Sequence, residues 1–155
     1  MAIFLAECYL AEGISAPLID LRATPLPFCD GEAAYGHASV VTLAKTILAA
    51  RVIIIATPIY NFDASAALKN LIELTGSSWE DKIVGFLCAA GGSMSFMSVM
   101  SFANSLMLDF RCLIIPRIVY ATSEDFTDGL LNSAEVRNRI RELARVSTRI
   151  RNGEI

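Results

Sequence analysis

The stretch 51–73, RVIIIATPIYNFDASAALKNLIE, constrains the fold more than any other part of the chain. Val52, Ile53, Ile54, Ile55 and Ala56 form a short, largely β-branched run with no polar alternation. That pattern suits a strand buried on both faces, as in a parallel sheet. Thr57-Pro58 is expected to end the strand, because proline has no N–H for the ladder and restricts the residue before it. A loop of Ile59, Tyr60, Asn61, Phe62 and Asp63 follows. Residues 64–75 then read as a helix capped by Asp63, with Ala67, Leu68, Leu71 and Ile72 on one face. Strand, sharp loop, helix is the βα unit of an open α/β sheet. Ligands in such sheets sit beyond the carboxyl ends of the strands, where 58–62 would lie.

The same reading extends along the chain. Strands are predicted over 17–21 (PLIDL), 51–57, 83–90 and 112–121, the last at a sheet edge because it contains Pro116. Helices are predicted over 2–12, 38–50, 64–75 and 95–110. A final helix is expected from an Asn132 or Ser133 cap to about residue 151. Candidate core positions are Ile3, Leu5, Ala6, Tyr9 and Leu10 on the first helix, and Met97, Met100, Ala103, Leu106 and Met107 on the fourth. On the last helix they are Val136, Ile140, Leu143 and Ile150. Residues 122–131 form an acidic loop. Strands alternating with helices imply a parallel sheet with right-handed crossovers, an α/β fold of three layers.

Composition narrows the function. The 155 residues make one domain with enough chain for a core. A net charge of −3 excludes an obvious nucleic-acid binder, and no apolar run approaches the roughly 18 residues of a membrane span. Hydrophobic residues reach 54%, which fits a doubly covered sheet plus an interface in a homodimer or homotetramer. The apolar start has no basic region and carries Glu7 and Glu12, so no signal peptide is expected. Cys8, Cys29, Cys88 and Cys112 lack CxxC spacing and read as reduced core thiols of a cytoplasmic protein, not as metal ligands. His37 is the single histidine, with no GxSxG elbow to support a hydrolase. Arg137, Arg141, Arg145 and Arg149 recur every four residues and read as a solvated face.

Three motifs carry a family resemblance. They are Thr57-Pro58-Ile59-Tyr60-Asn61 with the following Ala67-Leu68-Lys69-Asn70, then Ala90-Gly91-Gly92-Ser93, and Leu18-Ile19-Asp20-Leu21 before Pro25-Leu26-Pro27. Together they resemble the NADPH-dependent FMN reductase family, whose fold is flavodoxin-like. The resemblance implies FMN and NAD(P)H as cofactors and a small-molecule electron acceptor, such as a flavin, quinone or azo compound. It implies that Pro58, Ile59, Tyr60, Asn61 and Phe62 border the isoalloxazine ring, and that Gly91, Gly92 and Ser93 approach its pyrimidine edge. Glycine lets backbone come close to a flat ring, and amide donors suit its carbonyl oxygens. Ile59 stands where the family usually has glutamate, and Ser93-Met94-Ser95-Phe96 replaces a more glycine-rich turn.

Family members begin with a strand and a phosphate-cradling Gly-Ser-x-Arg-x-x-Ser loop. Here Met1 falls where the first helix should already run. The favoured expectation is a shortened version of a longer protein. The alternative is a genuine short form whose gap is closed by strand rearrangement or a partner chain. Weak FMN binding, or none, is expected if nothing fills the gap. A non-enzymatic relative and a flavodoxin-type electron carrier are the rival readings.

Overall fold

A computed structural model describes residues 1–151. The continuous apolar runs become the sheet. Strand β1 (Val52–Tyr60) and strand β3 (Ile83–Ala89) pair in parallel over seven residues, from Val52 opposite Ile83 to Pro58 opposite Ala89. Beyond β3 lie two short strands, β4 (Leu113–Ile114) and β5 (Val119–Ala121), both parallel to it. Strand β2 (Asp63–Ala64) folds back antiparallel on the end of β1. A second hairpin, β6 (Phe126–Thr127) with β7 (Leu130–Leu131), occupies the stretch read as a plain acidic loop.

Helices cover both faces. They are α1 (Ala2–Ala11), α2 (Ala38–Ala49), α3 (Ala66–Thr75), α4 (Val99–Phe110) and α5 (Ala134–Arg149). Side chains alternate across a strand, so β3 feeds two cores. Val84, Phe86 and Cys88 pack with residues of α2, α3 and α4, while Ile83 and Leu87 pack with α1 and α5. Leu5 and Tyr9 anchor α1, and the Tyr9 hydroxyl donates to Ser147 Oγ on α5 at 2.6 Å. Ser147 Oγ in turn donates to the Ala144 carbonyl. The Ser133 hydroxyl, rather than Asn132, caps α5 by accepting from Val136 N–H.

Several expectations are corrected. Residues 17–21 are not a strand: no ladder partner lies beside them among the described residues, and Leu18 and Ile19 are exposed. A cleft of about 680 Å³ separates 17–24 from α2. A β-prone sequence without a neighbouring strand has nothing to pair with. The strand expected over 112–121 is interrupted at Pro116, although it does lie at the sheet edge. Strand β1 runs through Pro58 instead of stopping there. Apart from the two-residue β2, its other edge is unpaired among the described residues, so a missing N–H is tolerated.

Ser65, not Asp63, caps α3, accepting from Leu68 N–H. Helix α4 starts at Val99 rather than at 95, after a short 3₁₀ turn, Ser93–Ser95. Its buried stripe is Val99, Phe102, Ala103 and Leu106, which leaves Met97, Met100 and Met107 exposed. Ile3 and Leu10 are likewise exposed on α1.

Candidate functional site

Parallel register fixes where the two turns emerge. Because Pro58 pairs with Ala89, the residues that follow each leave the sheet at the same carboxyl rim. Tyr60, Asn61 and Phe62 stand on one side of this rim and Gly91, Gly92 and Ser93 on the other. Strand β5 ends beside them, with Ala121 opposite Ala89.

The first turn is a tight hairpin. Tyr60 pairs with Asp63, and the two residues between, Asn61 and Phe62, have φ of 50° and 63°. A two-residue turn with both φ positive matches the right-handed twist of the flanking strands. Asparagine tolerates that conformation, whereas a bulky phenylalanine there is strained. The turn leaves Tyr60 63% exposed and Phe62 65% exposed, while Ile59 is buried beneath them at 7%. Thr57 Oγ1 accepts from Ser65 N–H at 3.2 Å and ties the hairpin to the start of α3.

The second turn is held by hydroxyls. Ala90 N–H donates to the Ala121 carbonyl, continuing the ladder one step past β3. The Gly91 carbonyl accepts from Ser123 Oγ at 3.0 Å, and the Gly92 carbonyl accepts from the Tyr120 hydroxyl at 2.6 Å. The Tyr120 oxygen also lies 2.8 Å from Ser95 Oγ. A tyrosine hydroxyl has one proton, already given to Gly92, so Ser95 is the donor in that contact. Ser123 is itself placed by a capping box: the Asp125 carboxylate accepts from Thr122 N–H at 2.8 Å and from the Thr122 hydroxyl. That backbone N–H holds the Asp125 carboxyl below the usual carboxylate range.

The turn's free groups suit a flat heteroaromatic ring. The N–H groups of Gly91, Gly92 and Ser93 donate no hydrogen bond among the described residues. A Cβ built on Gly91 or Gly92 would meet no atom within 4 Å. The glycines therefore border open space and are not packed against protein. Exposed Tyr60 and Phe62 offer aromatic surface at the same rim. Ring, amide donors and apolar wall are what an isoalloxazine needs, and these residues fit it.

Sequence reasoning named the eight rim residues but missed Tyr120, Ser123 and Ser95, whose roles exist only through tertiary contacts. The thiols are not reactive centres of this rim. Burial pushes the Cys88 thiol up to about 12 and the Cys112 thiol up to about 11. His37 lies at the start of α2 with Nδ1 2.8 Å from Ser39 Oγ. The arginine stripe is partly engaged, since the Arg137 and Arg141 guanidinium groups lie 4.0 and 5.1 Å from the Phe4 ring centroid.

Comparison with known proteins agrees with this fold. Solved structures share the fold. An oxidoreductase from Corynebacterium diphtheriae superposes with a TM-score of 0.71 at 18% identity, covering 97% of this chain and 86% of that one. The flavoenzyme NAD(P)H:(acceptor) oxidoreductase of Paracoccus denitrificans also gives 0.71, at 16% identity, covering 92% and 82%. Among curated sequences, an NAD(P)H-dependent FAD/FMN reductase from Geobacillus thermodenitrificans is 27% identical over 84% of this chain and 72% of its own length. An NADPH azoreductase from Bacillus sp. strain OY1-2 is 29% identical over 79% and 70%. The family model for NADPH-dependent FMN reductase matches residues 1–127, which span all five strands of the main sheet and both rim turns. With the flavodoxin-like sheet and its glycine turn in place, the chain belongs to the NADPH-dependent FMN reductase family.

Proposed function

We propose that the rim between 58–62 and 91–93 holds the isoalloxazine ring of FMN, and that the protein transfers electrons from NAD(P)H to a small acceptor. The observation that carries this reading is the pairing of Pro58 with Ala89, which delivers both turns to one rim, with open space beside Gly91 and Gly92. When bound there, FMN supplies the redox chemistry, accepting hydride from nicotinamide and passing electrons on. The protein's part is to bind and orient. Ile59 supports the hairpin from below, and Tyr60 and Phe62 wall the ring. The free N–H of Ser93 supplies a donor for its carbonyl edge. No protein acid or base is required for that chemistry.

The acceptor is proposed to be a flavin, quinone or azo compound, in line with the names of the relatives. A homodimer or homotetramer is proposed from the exposed Met97, Met100, Met107 and Leu108 around α4. A separate groove of about 240 Å³ lies between α3 and α4, lined by Ile72, Phe102, Leu106 and Phe110 among others. Four free cysteines fit a reducing, cytoplasmic setting. Among the described residues, no helix is long and apolar enough to cross a membrane.

Titrating the purified chain with FMN and with riboflavin, read by quenching of flavin fluorescence, tests the assignment. The other edge of β1 is unpaired apart from β2 among the described residues, so the expected result is weak but saturable binding, together with FMN-dependent NADPH oxidation above the rate with free FMN. Equal affinity for the two flavins would assign recognition to the ring alone. A protein that stays colourless, binds neither flavin and oxidises no NADPH would be the non-enzymatic relative instead.

A further inference from the structure

Resting on the flavin assignment above, we propose that Tyr120 is a positioning residue that sets the preference of the site for reduced over oxidised FMN. Gly92 is almost fully extended, with φ −156° and ψ 177°. The carbonyls on either side of an extended residue point in opposite directions. Ser123 Oγ holds the Gly91 carbonyl at 3.0 Å and the Tyr120 hydroxyl holds the Gly92 carbonyl at 2.6 Å. The glycine is thus threaded between two hydroxyls.

Within one planar trans peptide, C=O and N–H point opposite ways. Fixing the Gly91 carbonyl therefore fixes the Gly92 N–H, and fixing the Gly92 carbonyl fixes the Ser93 N–H. Like the carbonyls, these two N–H groups point opposite ways, so one ring meets one of them, and the shorter Tyr120 contact holds Ser93 N–H. These two N–H groups make no hydrogen bond among the described residues. No side chain packs on the glycines to do the same job, because a Cβ at Gly91 or Gly92 would touch nothing within 4 Å. Without the hydroxyls, the two peptide planes are free to turn.

The clamp has its own support. Ser95 Oγ donates to the Tyr120 oxygen at 2.8 Å, so the tyrosine proton is committed to Gly92. The Thr122–Asp125 capping box fixes the backbone around Ser123. Hydrogen bonds to an electron-rich acceptor are roughly twice as strong as neutral ones. Correctly aimed N–H donors therefore favour reduced flavin, whose ring carries the added electrons, more than oxidised flavin.

The test measures dissociation constants for oxidised and reduced FMN, and the two-electron midpoint potential, in the parent protein, Tyr120→Phe, Ser123→Ala and the double variant. Circular dichroism and the thermal midpoint check folding. For Tyr120→Phe the clamp predicts about 3-fold weaker binding of oxidised FMN and about 30-fold weaker binding of reduced FMN. That tenfold difference lowers the bound potential by about 30 mV. Ser123→Ala frees the N–H that points away from Ser93 N–H, so it is expected to leave the ratio of the two constants unchanged, and the double variant to match Tyr120→Phe. Equal weakening of both redox states in Tyr120→Phe, or no change in either, overturns the clamp while leaving the flavin site in place. A parent protein that binds no flavin overturns both.

Discussion

Gly92→Val is expected to leave the fold unchanged and to remove most flavin binding. A Cβ at this position meets no protein atom within 4 Å, and its φ of −156° is open to any residue. Stability should therefore stay within about 0.5 kcal/mol of the parent, as for ordinary surface changes. The isopropyl group would stand in the space assigned to the ring. Overfilling of that kind costs about 1–3 kcal/mol, a loss of roughly 5- to 150-fold in affinity. Fluorescence titration of FMN beside a urea unfolding curve reads both quantities. Unchanged affinity in a folded Gly92→Val protein would move the ring away from this turn.

Trp79→Ala is expected to have the largest effect on stability. Trp79 is 1% exposed and lies in the core formed by α2, α3, α4 and the sheet. Its indole N–H donates to Thr75 Oγ1 at 2.8 Å, and the Thr75 hydroxyl donates to the Leu71 carbonyl at 2.6 Å. Truncation leaves a cavity and strips Thr75 of a donor. The expected loss is about 3–5 kcal/mol, a large share of the ~5–15 kcal/mol that holds a domain. Urea denaturation followed by circular dichroism measures it. A loss below about 1 kcal/mol would mean that the side chain is not enclosed as described.

How much of this was legible in the chain differs by element. Strand β3 was readable because both its faces are buried, so Ile83 to Leu87 are continuously apolar. Strand β1 carries a similar apolar run, but its expected burial on both faces is not met, since Val52 to Ile54 are half-buried and Ala56 is exposed beside the unpaired edge. The rim position of Tyr60 and Gly91 followed from that alone. Pro17 to Leu21 has the same local character, yet it forms no strand, because pairing is decided by neighbours that a window of sequence does not contain. Helix α4 misled for another reason. Two apolar stripes run along it, one through Val99, Phe102, Ala103 and Leu106 and one through Met100 and Met107. Periodicity cannot choose between two apolar phases.

The hairpin at Asn61-Phe62 was hidden by its second residue. Asn-Gly or Asp-Gly announces such a turn, and Asn-Phe does not. The clamp was hidden more deeply. Tyr120 and Gly92 are 28 residues apart, and nothing in either segment states that a tyrosine on β5 will reach the turn after β3. Parallel pairing of Cys88 with Tyr120 brings them together, and only the folded sheet contains that register.

Hydrogen–deuterium exchange of the protein with and without saturating FMN tests the central claim most directly. The account predicts slowed amide exchange in two separate peptides, one spanning Ile59 to Phe62 and one spanning Gly91 to Ser93, with the helical faces of α2 and α5 unchanged. Protection confined to some other part of the surface, or none at either turn while FMN is demonstrably bound, would contradict it.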